Sequence, residues 1–460
     1  MPQPDGLNRR MFLRNAGMTA LAGAAGSHAS FAASPAGRFA PPPGKYDFDT
    51  PYSRIGTDSN KWDQQIRTFG IPDLVAGMGI ADMDFRCAPE ITKALADRVQ
   101  HEVWGYLDMP KAFVDGIVAW NKRRYGVDVN PESVALSNGV HPGLIAAIRT
   151  FCPPGSKVLL FTPAYDGFYS DFRFTGTKPE ECLMKVVDGR YRIDFDDFER
   201  RISHETNAFV LCNPHNPTGN CWSADDLMRL GEICLRRRVV VLVDEIHCDF
   251  VTKGVKYTPF ASLPNKAVVN NSLTFKAASK SFGLSAMKVA WFYSDNMDLV
   301  ARVKANNHPD LATLGIVANQ AAYAKGEAWL NECVEYVDGN HDFAQKFIRA
   351  NMSLVDPGAK PQGTYLAWID VSKAIDKIGA KQAAADAARE NSGRGPTAEA
   401  VLRDWLAKHA RVVLNPGTNY GLGGANHMRV NLATSRRTLE AALTSMAKAL
   451  DGLKTSTSAV

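Results

Sequence analysis

A carboxylate, an amide, an amine and a helix-opening turn each stand just past an apolar run in this chain of 460 residues. Val239–Val243 is followed by Asp244-Glu245-Ile246-His247, and a carboxylate leaving the end of a buried strand is costly unless it meets a cation or a donor. Ala208–Cys212 is followed by Asn213-Pro214-His215-Asn216-Pro217-Thr218-Gly219, in which two Asn-Pro pairs force an irregular loop and can aim an amide into a pocket. Ser279-Lys280-Ser281-Phe282-Gly283 follows a third run, and Lys288 lies shortly beyond it. Val134–Ser137 leads into Asn138-Gly139-Val140-His141-Pro142, a turn into a helix whose free N–H groups could hold a phosphate. Together these types suit one chemistry. A lysine amine makes a Schiff base with pyridoxal phosphate while a carboxylate keeps the pyridine nitrogen protonated. A stacked aromatic and an amide fix the ring, and a helix N-terminus with a second cation holds the phosphate.

The elements that must position these groups read as an α/β fold with a mostly parallel sheet, because apolar bursts alternate with helical stretches from Tyr46 onward. The expected strands are Val134–Ser137, Lys157–Phe161, Ala208–Cys212, Val239–Val243, Ala267–Thr274 and Lys288–Tyr293; the expected helices include Pro142–Thr150, Ala224–Arg236 and Gly315–Lys325. Open sheets of this kind bind ligands at the carboxyl ends of their strands, where the polar groups collect. After about residue 310 the pattern turns to helices with few strands, ending in the amphipathic run Arg437–Leu450, which predicts a second, smaller domain. Residues 374–399 are Ala/Lys-rich and then Gly-broken, the mark of an inserted surface helix and loop. Gly421-Leu422-Gly423-Gly424 reads as a flexible loop.

Composition excludes several classes. With 45% hydrophobic and 22% charged residues the chain is an ordinary globular protein, not a disordered or multi-span membrane chain. A net charge of +5 without a dense Lys/Arg block argues against a nucleic-acid partner. Eight scattered cysteines with no CxxC pair read as small buried hydrophobes, and no metal site is expected. At the N-terminus, Asn8-Arg9-Arg10-Met11-Phe12-Leu13-Arg14 precedes an uncharged Ala/Gly-rich stretch and the small residues of Ser30-Phe31-Ala32. Residues 1–32 therefore read as a cleavable export signal with no stable membrane anchor, and the arginine pair resembles a twin-arginine signal. That predicts a periplasmic protein, carried folded by the twin-arginine export machinery. Residues 33–45, with Pro41-Pro42-Pro43, read as a stiff linker.

The chain resembles fold-type-I pyridoxal-phosphate enzymes of the aspartate aminotransferase superfamily, and within it the MalY/PatB-like carbon–sulfur β-lyases. The marks are Arg54-Ile55-Gly56-Thr57 leading to Lys61-Trp62-Asp63, then Ala81-Asp82-Met83-Asp84-Phe85, the Asn213–Gly219 string, Asp244–His247, Ser279-Lys280 and Gly363-Thr364-Tyr365-Leu366. The resemblance implies a large domain (86–310) with a mostly parallel seven-stranded sheet. It also implies a smaller α+β C-terminal domain (311–460), with residues 46–85 packing on that smaller domain. It implies pyridoxal 5'-phosphate as cofactor, with Lys280 as the Schiff-base lysine and the base that moves the α-proton. Asp244 would pair with the pyridine nitrogen, while Asn216 and His247 would lie at the ring's phenolic oxygen. Tyr165 would stack on the ring, and the Val140 and His141 amides with Lys288 would hold the phosphate. Arg429 would grip the substrate α-carboxylate beside Asn216. Tyr106 would reach the neighbouring subunit's site, which implies a homodimer.

Two departures from the family stand out: Ala277 replaces a phosphate-binding Ser or Thr, and His141 replaces a small or apolar residue. The implied reaction is β-elimination from a cystathionine or cysteine S-conjugate to pyruvate, ammonia and a thiol. The alternative is an aminotransferase acting in the periplasm on an amino acid or an exported amino-acid-bearing metabolite. Some members of the resembled family also bind a transcription regulator; the presence of Lys280, Asp244, Asn216 and Arg429 argues instead for live chemistry.

Overall fold

Short runs, most of them rich in Val, Leu, Ile and Phe and carrying charge only at their ends, pair side by side into the main sheet of the protein. A computed structural model describes residues 44–455, so the export signal and nearly all of the linker lie outside the described residues. The main sheet has seven strands in the order Ala135–Ser137, Ala290–Tyr293, Ser272–Lys276, Val240–Asp244, Thr206–Cys212, Lys157–Thr162 and Lys178–Leu183. Ala290–Tyr293 is antiparallel to both neighbours, and the other pairings are parallel. Helices cover both faces. Val140–Phe151 buries Leu144, Ala147 and Ile148 on one side. Ala224–Arg236 buries Leu227, Leu230 and Ile233 on the other. The latter begins where the sequence says it should, because Ser223 and Asp226 form a reciprocal capping box at its first turn.

A second, three-stranded antiparallel sheet carries His427–Asn431 between Leu366–Asp370 and Asn415–Pro416. Helices Ala398–Ala410 and Arg436–Thr455 pack on it through Leu402, Leu406, Leu439 and Leu443. Ala76–Gly77 pairs with Val412–Val413 in a separate two-stranded sheet, and the Asn431 N–H donates to the Met78 carbonyl, which ties the N-terminal segment to the three-stranded sheet. Phe48 joins the opposite core, against Trp329 and Tyr336 of the long helix Glu327–Asn351.

Several expectations need correction. Ala267–Thr274 is not one strand: Asn265 accepts from the Ala267 N–H and caps a short helix, Lys266–Val269, and the strand starts only at Ser272. The last strand begins at Ala290, because Lys288 takes a left-handed φ of 52°. Helix Thr313–Lys325, which the sequence assigns to the smaller unit, packs on Pro89–Val99 and Lys111–Tyr125. Its Ile316 and Ala322 belong to the same core as Trp291. In the 374–399 stretch only the later part lies on the surface. Ala374 and Ile375 are buried in the second core, whereas in Ala380–Glu390 only Ala380 is buried. All eight cysteines are free, and all but Cys87 are buried.

Candidate active site

Six pieces of chain converge between the two sheets. Asp244 closes Val240–Asp244 and is buried; burial pushes its carboxyl up to about 6, opposed by the Ile246 N–H and by the positive charges of His141 and Lys280. Lys280 sits in the single turn Ala278–Ser281 just beyond Ser272–Lys276. Its amine donates to the Ala81 carbonyl at 2.7 Å. Burial, with Arg429 and Lys288 nearby, pulls its pKa down to about 8 against the pull of Asp82 and Asp244. About a tenth of that amine is thus uncharged at pH 7, far more than for a free lysine, and a nucleophile or a base needs that uncharged form.

Arg429 lies in the central strand of the smaller sheet and is buried. It donates through Nη1 to Asn216 Oδ1 (3.2 Å) and through Nη2 to the Gly79 carbonyl (2.8 Å). Its plane stands over the Tyr420 ring at 5.2 Å. Among the described residues its Nε has no partner. Asn216 is held because the loop carrying it is stitched to residues 362–363, whose N–H groups both donate to the Gly219 carbonyl. Buried His247 packs edge-on to the Tyr365 ring, and its Nδ1 also lacks a partner among the described residues. Burial and the charges of Lys280 and Arg429 hold its pKa well below the usual value, so the imidazole is neutral.

Val140 and His141 open a twelve-residue helix after Gly139, whose φ of 134° favours glycine. Their N–H groups precede the intrahelical pattern and have no partner within the helix. His141 Nδ1 faces Asp171 (2.8 Å) and its Nε2 meets the Tyr165 hydroxyl at 3.2 Å. Tyr165 caps the helix Asp166–Thr175 at the end of Lys157–Thr162. Lys288 is exposed, although its charge is felt by Lys280. Tyr106 is fully exposed on the irregular segment before Pro110, so it is not drawn into the site of its own chain. His215 bonds Thr218 and packs on Trp222, and it takes no part in the cluster.

Residues that the sequence marks without assigning them a task build the floor of the site. Asp84 accepts from Lys61 (2.7 Å), Trp62 Nε1 (2.9 Å) and Arg54 (3.3 Å), and Arg54 also pairs with Asp82 at 2.6 Å. Asp63 accepts from the Gly56, Thr57 and Ser59 N–H groups and folds the loop that delivers Arg54. This network holds residues 79–82 so that their carbonyls meet Arg429, Lys280, Tyr365 and Asn431. Asp171 and Tyr420 are not foreseen at all. The signal for Asp171 is an acid on the buried stripe Phe168, Phe172 and Thr175 of its helix. The Gly421–Gly424 loop is clasped rather than loose. Ala164 N–H donates to the Tyr420 carbonyl and Leu422 N–H to Glu181, which also accepts from Tyr169.

The donor set fits pyridoxal phosphate: an amine of lowered pKa, a buried carboxylate, free N–H groups at a helix start, and a buried His247 Nδ1 without a partner. Comparisons with known proteins agree. The family model for aminotransferase class I and II matches residues 75–446. Cystathionine beta-lyase PatB of Bacillus subtilis (strain 168) is 36% identical over 409 residues, covering 88% of this chain and 100% of that protein. Cystalysin of Treponema denticola, whose crystal structure contains a pyridoxal 5'-phosphate cofactor, aligns with a TM-score of 0.80 at 27% identity over 89% of this chain and 99% of that one. A pyridoxal-phosphate-bound putative aminotransferase of Clostridium difficile 630 aligns with a TM-score of 0.79 at 30% identity, over 88% and 100% of the two chains. The chain belongs to the aminotransferase class I and II family of pyridoxal-phosphate-dependent, fold-type-I enzymes.

Proposed function

We propose that this protein is a carbon–sulfur β-lyase that cleaves the Cβ–S bond of a cystathionine-type or cysteine-S-conjugate amino acid to pyruvate, ammonia and a thiol. The observation that carries the reading is the convergence of Lys280, Asp244, Asn216 and Arg429 at one point between the two sheets. The similarity to cystathionine beta-lyase PatB supports the reaction class. Bound pyridoxal phosphate supplies an electron sink for the carbanion at Cα. Lys280 would anchor the cofactor through its amine, and the same amine would be placed to take the α-proton. Asp244 stays ionised against a protonated ring nitrogen, while Asn216 and His247 offer their polar atoms to the ring oxygen. The Val140 and His141 N–H groups, with Lys288, hold the phosphate. Arg429 pairs with the α-carboxylate and so orients the Cα–H bond toward Lys280. A thiolate leaves readily, since a thiol pKa is about 8.5, and this step needs no strong acid from the chain.

The aminotransferase reading shares the same residues, and the similarity to a putative aminotransferase keeps it as the alternative. Product analysis separates them. The lyase releases pyruvate and thiol from cystathionine with no acceptor. Alanine and 2-oxoglutarate formed from L-glutamate with pyruvate, without thiol release from cystathionine, would overturn it.

Two further parts belong to the proposal. The protein works as a homodimer in which Tyr106 reaches the partner's site; full exposure of Tyr106, beside exposed Val99, Val103, Trp104 and Leu107, supports this. It is exported folded to the periplasm by the twin-arginine route, a reading supported by Arg9-Arg10 ahead of an uncharged Ala/Gly-rich stretch. Replacing Arg9 and Arg10 by lysine retains the protein in the cytosol; unchanged export would refute that route.

A further inference from the structure

The Asp171–His141–Tyr165 array is built at some cost. Asp171 is buried with both carboxylate oxygens turned to His141 Nδ1, at 2.8 and 3.0 Å. Nε2 on the far side of the same ring meets the Tyr165 hydroxyl at 3.2 Å, and the two rings lie 5.4 Å apart. Room for the histidine is made by Gly167: a Cβ there would stand 2.3 Å from His141 Cε1 and 2.6 Å from Tyr165 Cε1. A histidine where the resemblance leads one to expect a small or apolar residue, at a crowded helix start opposite a buried acid and a glycine, is not explained by packing alone.

We propose that the Asp171–His141 pair is a positioning device of the active site: it keeps a positive imidazolium that donates to the Tyr165 hydroxyl and faces the Asp244 carboxylate. This rests on the reading of the cleft as a pyridoxal-phosphate site. With Asp171 accepting at Nδ1, the imidazolium donates from Nε2, and the Tyr165 ring is fixed by its far end as well as by its backbone. The titratable and charged groups facing His141 are Asp171 and Tyr165, Asp244 at the strand end, and Lys280. Burial disfavours the imidazolium, but the Asp171 hydrogen bond and charge, with Asp244, outweigh it and hold the pKa above its usual value. Burial pushes the Asp171 carboxyl up, and the His141 hydrogen bond and charge pull it only part of the way back. The same imidazolium lowers the pKa of Asp244, which burial and the charge of Asp171 raise. Loss of the His141 charge therefore leaves Asp244 protonated over more of the neutral range and unable to pair with a protonated ring nitrogen.

The test uses the full chain, with cofactor removed and restored. In ¹⁵N-histidine spectra of the cofactor-free protein, assigned with His141→Gln, the His141 resonance titrates above the ordinary histidine value of about 6.5. Asp171→Asn lowers that midpoint by about one pH unit or more. Pyridoxal phosphate binding, followed by absorbance, weakens in His141→Gln by about fivefold at pH 6 and by little at pH 8, the change expected when Asp244 titrates higher by about one pH unit from about 6. If His141→Gln does not fold by circular dichroism, Asp171→Asn carries the test alone. A His141 midpoint at or below 6.5, a midpoint unmoved in Asp171→Asn, or a His141→Gln affinity equal to the parent's at both pH values would overturn the proposal. Failure of the parent to bind pyridoxal phosphate, or equal binding by Lys280→Ala, would instead sink the site reading on which it rests.

Discussion

Asp244→Asn should make the cofactor-free protein more stable at alkaline pH while weakening its hold on the cofactor. The Asp244 carboxyl moves from 3.8 to about 6 because it is buried at a strand end. A carboxyl with a higher pKa folded than unfolded takes up protons on folding. The stability it lends is complete below about pH 4 and is lost as the pH rises through about 6. Above that, the folded chain carries a buried anion at a cost of about 3 kcal/mol, from about 1.4 kcal/mol for each pH unit. Asparagine keeps the shape and an oxygen for the Ile246 N–H, which donates to Asp244 at 3.0 Å, but carries no charge. For roughly 400 ordered residues an unfolding entropy of about 2 cal/mol/K per residue turns 3 kcal/mol into a rise in Tm of about 3–4 °C. Thermal melts of the cofactor-free parent and variant between pH 4.5 and 8.5 should diverge across pH 4–6 and run parallel above it. With pyridoxal phosphate present the order reverses, because only the carboxylate pairs with a protonated ring nitrogen. A cofactor-free variant that melts below the parent at pH 8, or a difference that is the same at pH 4.5 and pH 8, would refute the reasoning.

Other outcomes follow from single contacts. The rate of cofactor capture should rise with pH to a midpoint near 8, where Lys280 loses its proton, and not near the free-lysine value of about 10.4; stopped-flow absorbance at several pH values reads this. Lys280→Ala should abolish turnover and the absorbance of lysine-bound cofactor, and surviving activity would end the assignment. Arg429→Ala, which removes a buried guanidinium, should lower kcat/KM for free α-carboxylate substrates by about thirtyfold or more, mainly through KM, with little effect on substrates whose carboxylate is blocked. Asp84→Ala leaves the buried Lys61 ammonium with only the Asp82 carbonyl and should cost about 3–5 kcal/mol in denaturant unfolding; a loss below about 1 kcal/mol would show that the Lys61 pair is not structural.

The parts of the site legible from residue types are those that end apolar runs. Asp244, Asn216 and Lys280 can be found this way because a strand buried on both faces tolerates polar groups only past its end. Arg429 is different: it sits inside a strand of the smaller sheet, between Met428 and Val430, and only resemblance singles it out. Lys61 and Asp84 carry no periodic signal, since their meaning lies in a contact across 23 positions of sequence. Asp171 could have been noticed as an acid on an apolar helical stripe, but its partner belongs to another helix. The strand expected at Ala267–Thr274 shows the opposite failure. Its apolar residues are real core, yet Asn265 turns the first of them into a helix and moves the strand along to Lys276.

The floor of the cleft has a consequence for the order in which the protein can become active. The Gly79 carbonyl meets Arg429 across 350 positions of sequence, Asn431 reaches Ile80 across 351, and Lys280 bonds Ala81 across 199. Arg429 and the backbone that receives it are therefore made at nearly opposite times during synthesis. An elongating chain can build much of the seven-stranded sheet and still lack the strand that bears Arg429. Competence is acquired late and all at once, by contacts with high closure entropy. A chain stopped short of Asn431 would hold Lys280 without its counterpart.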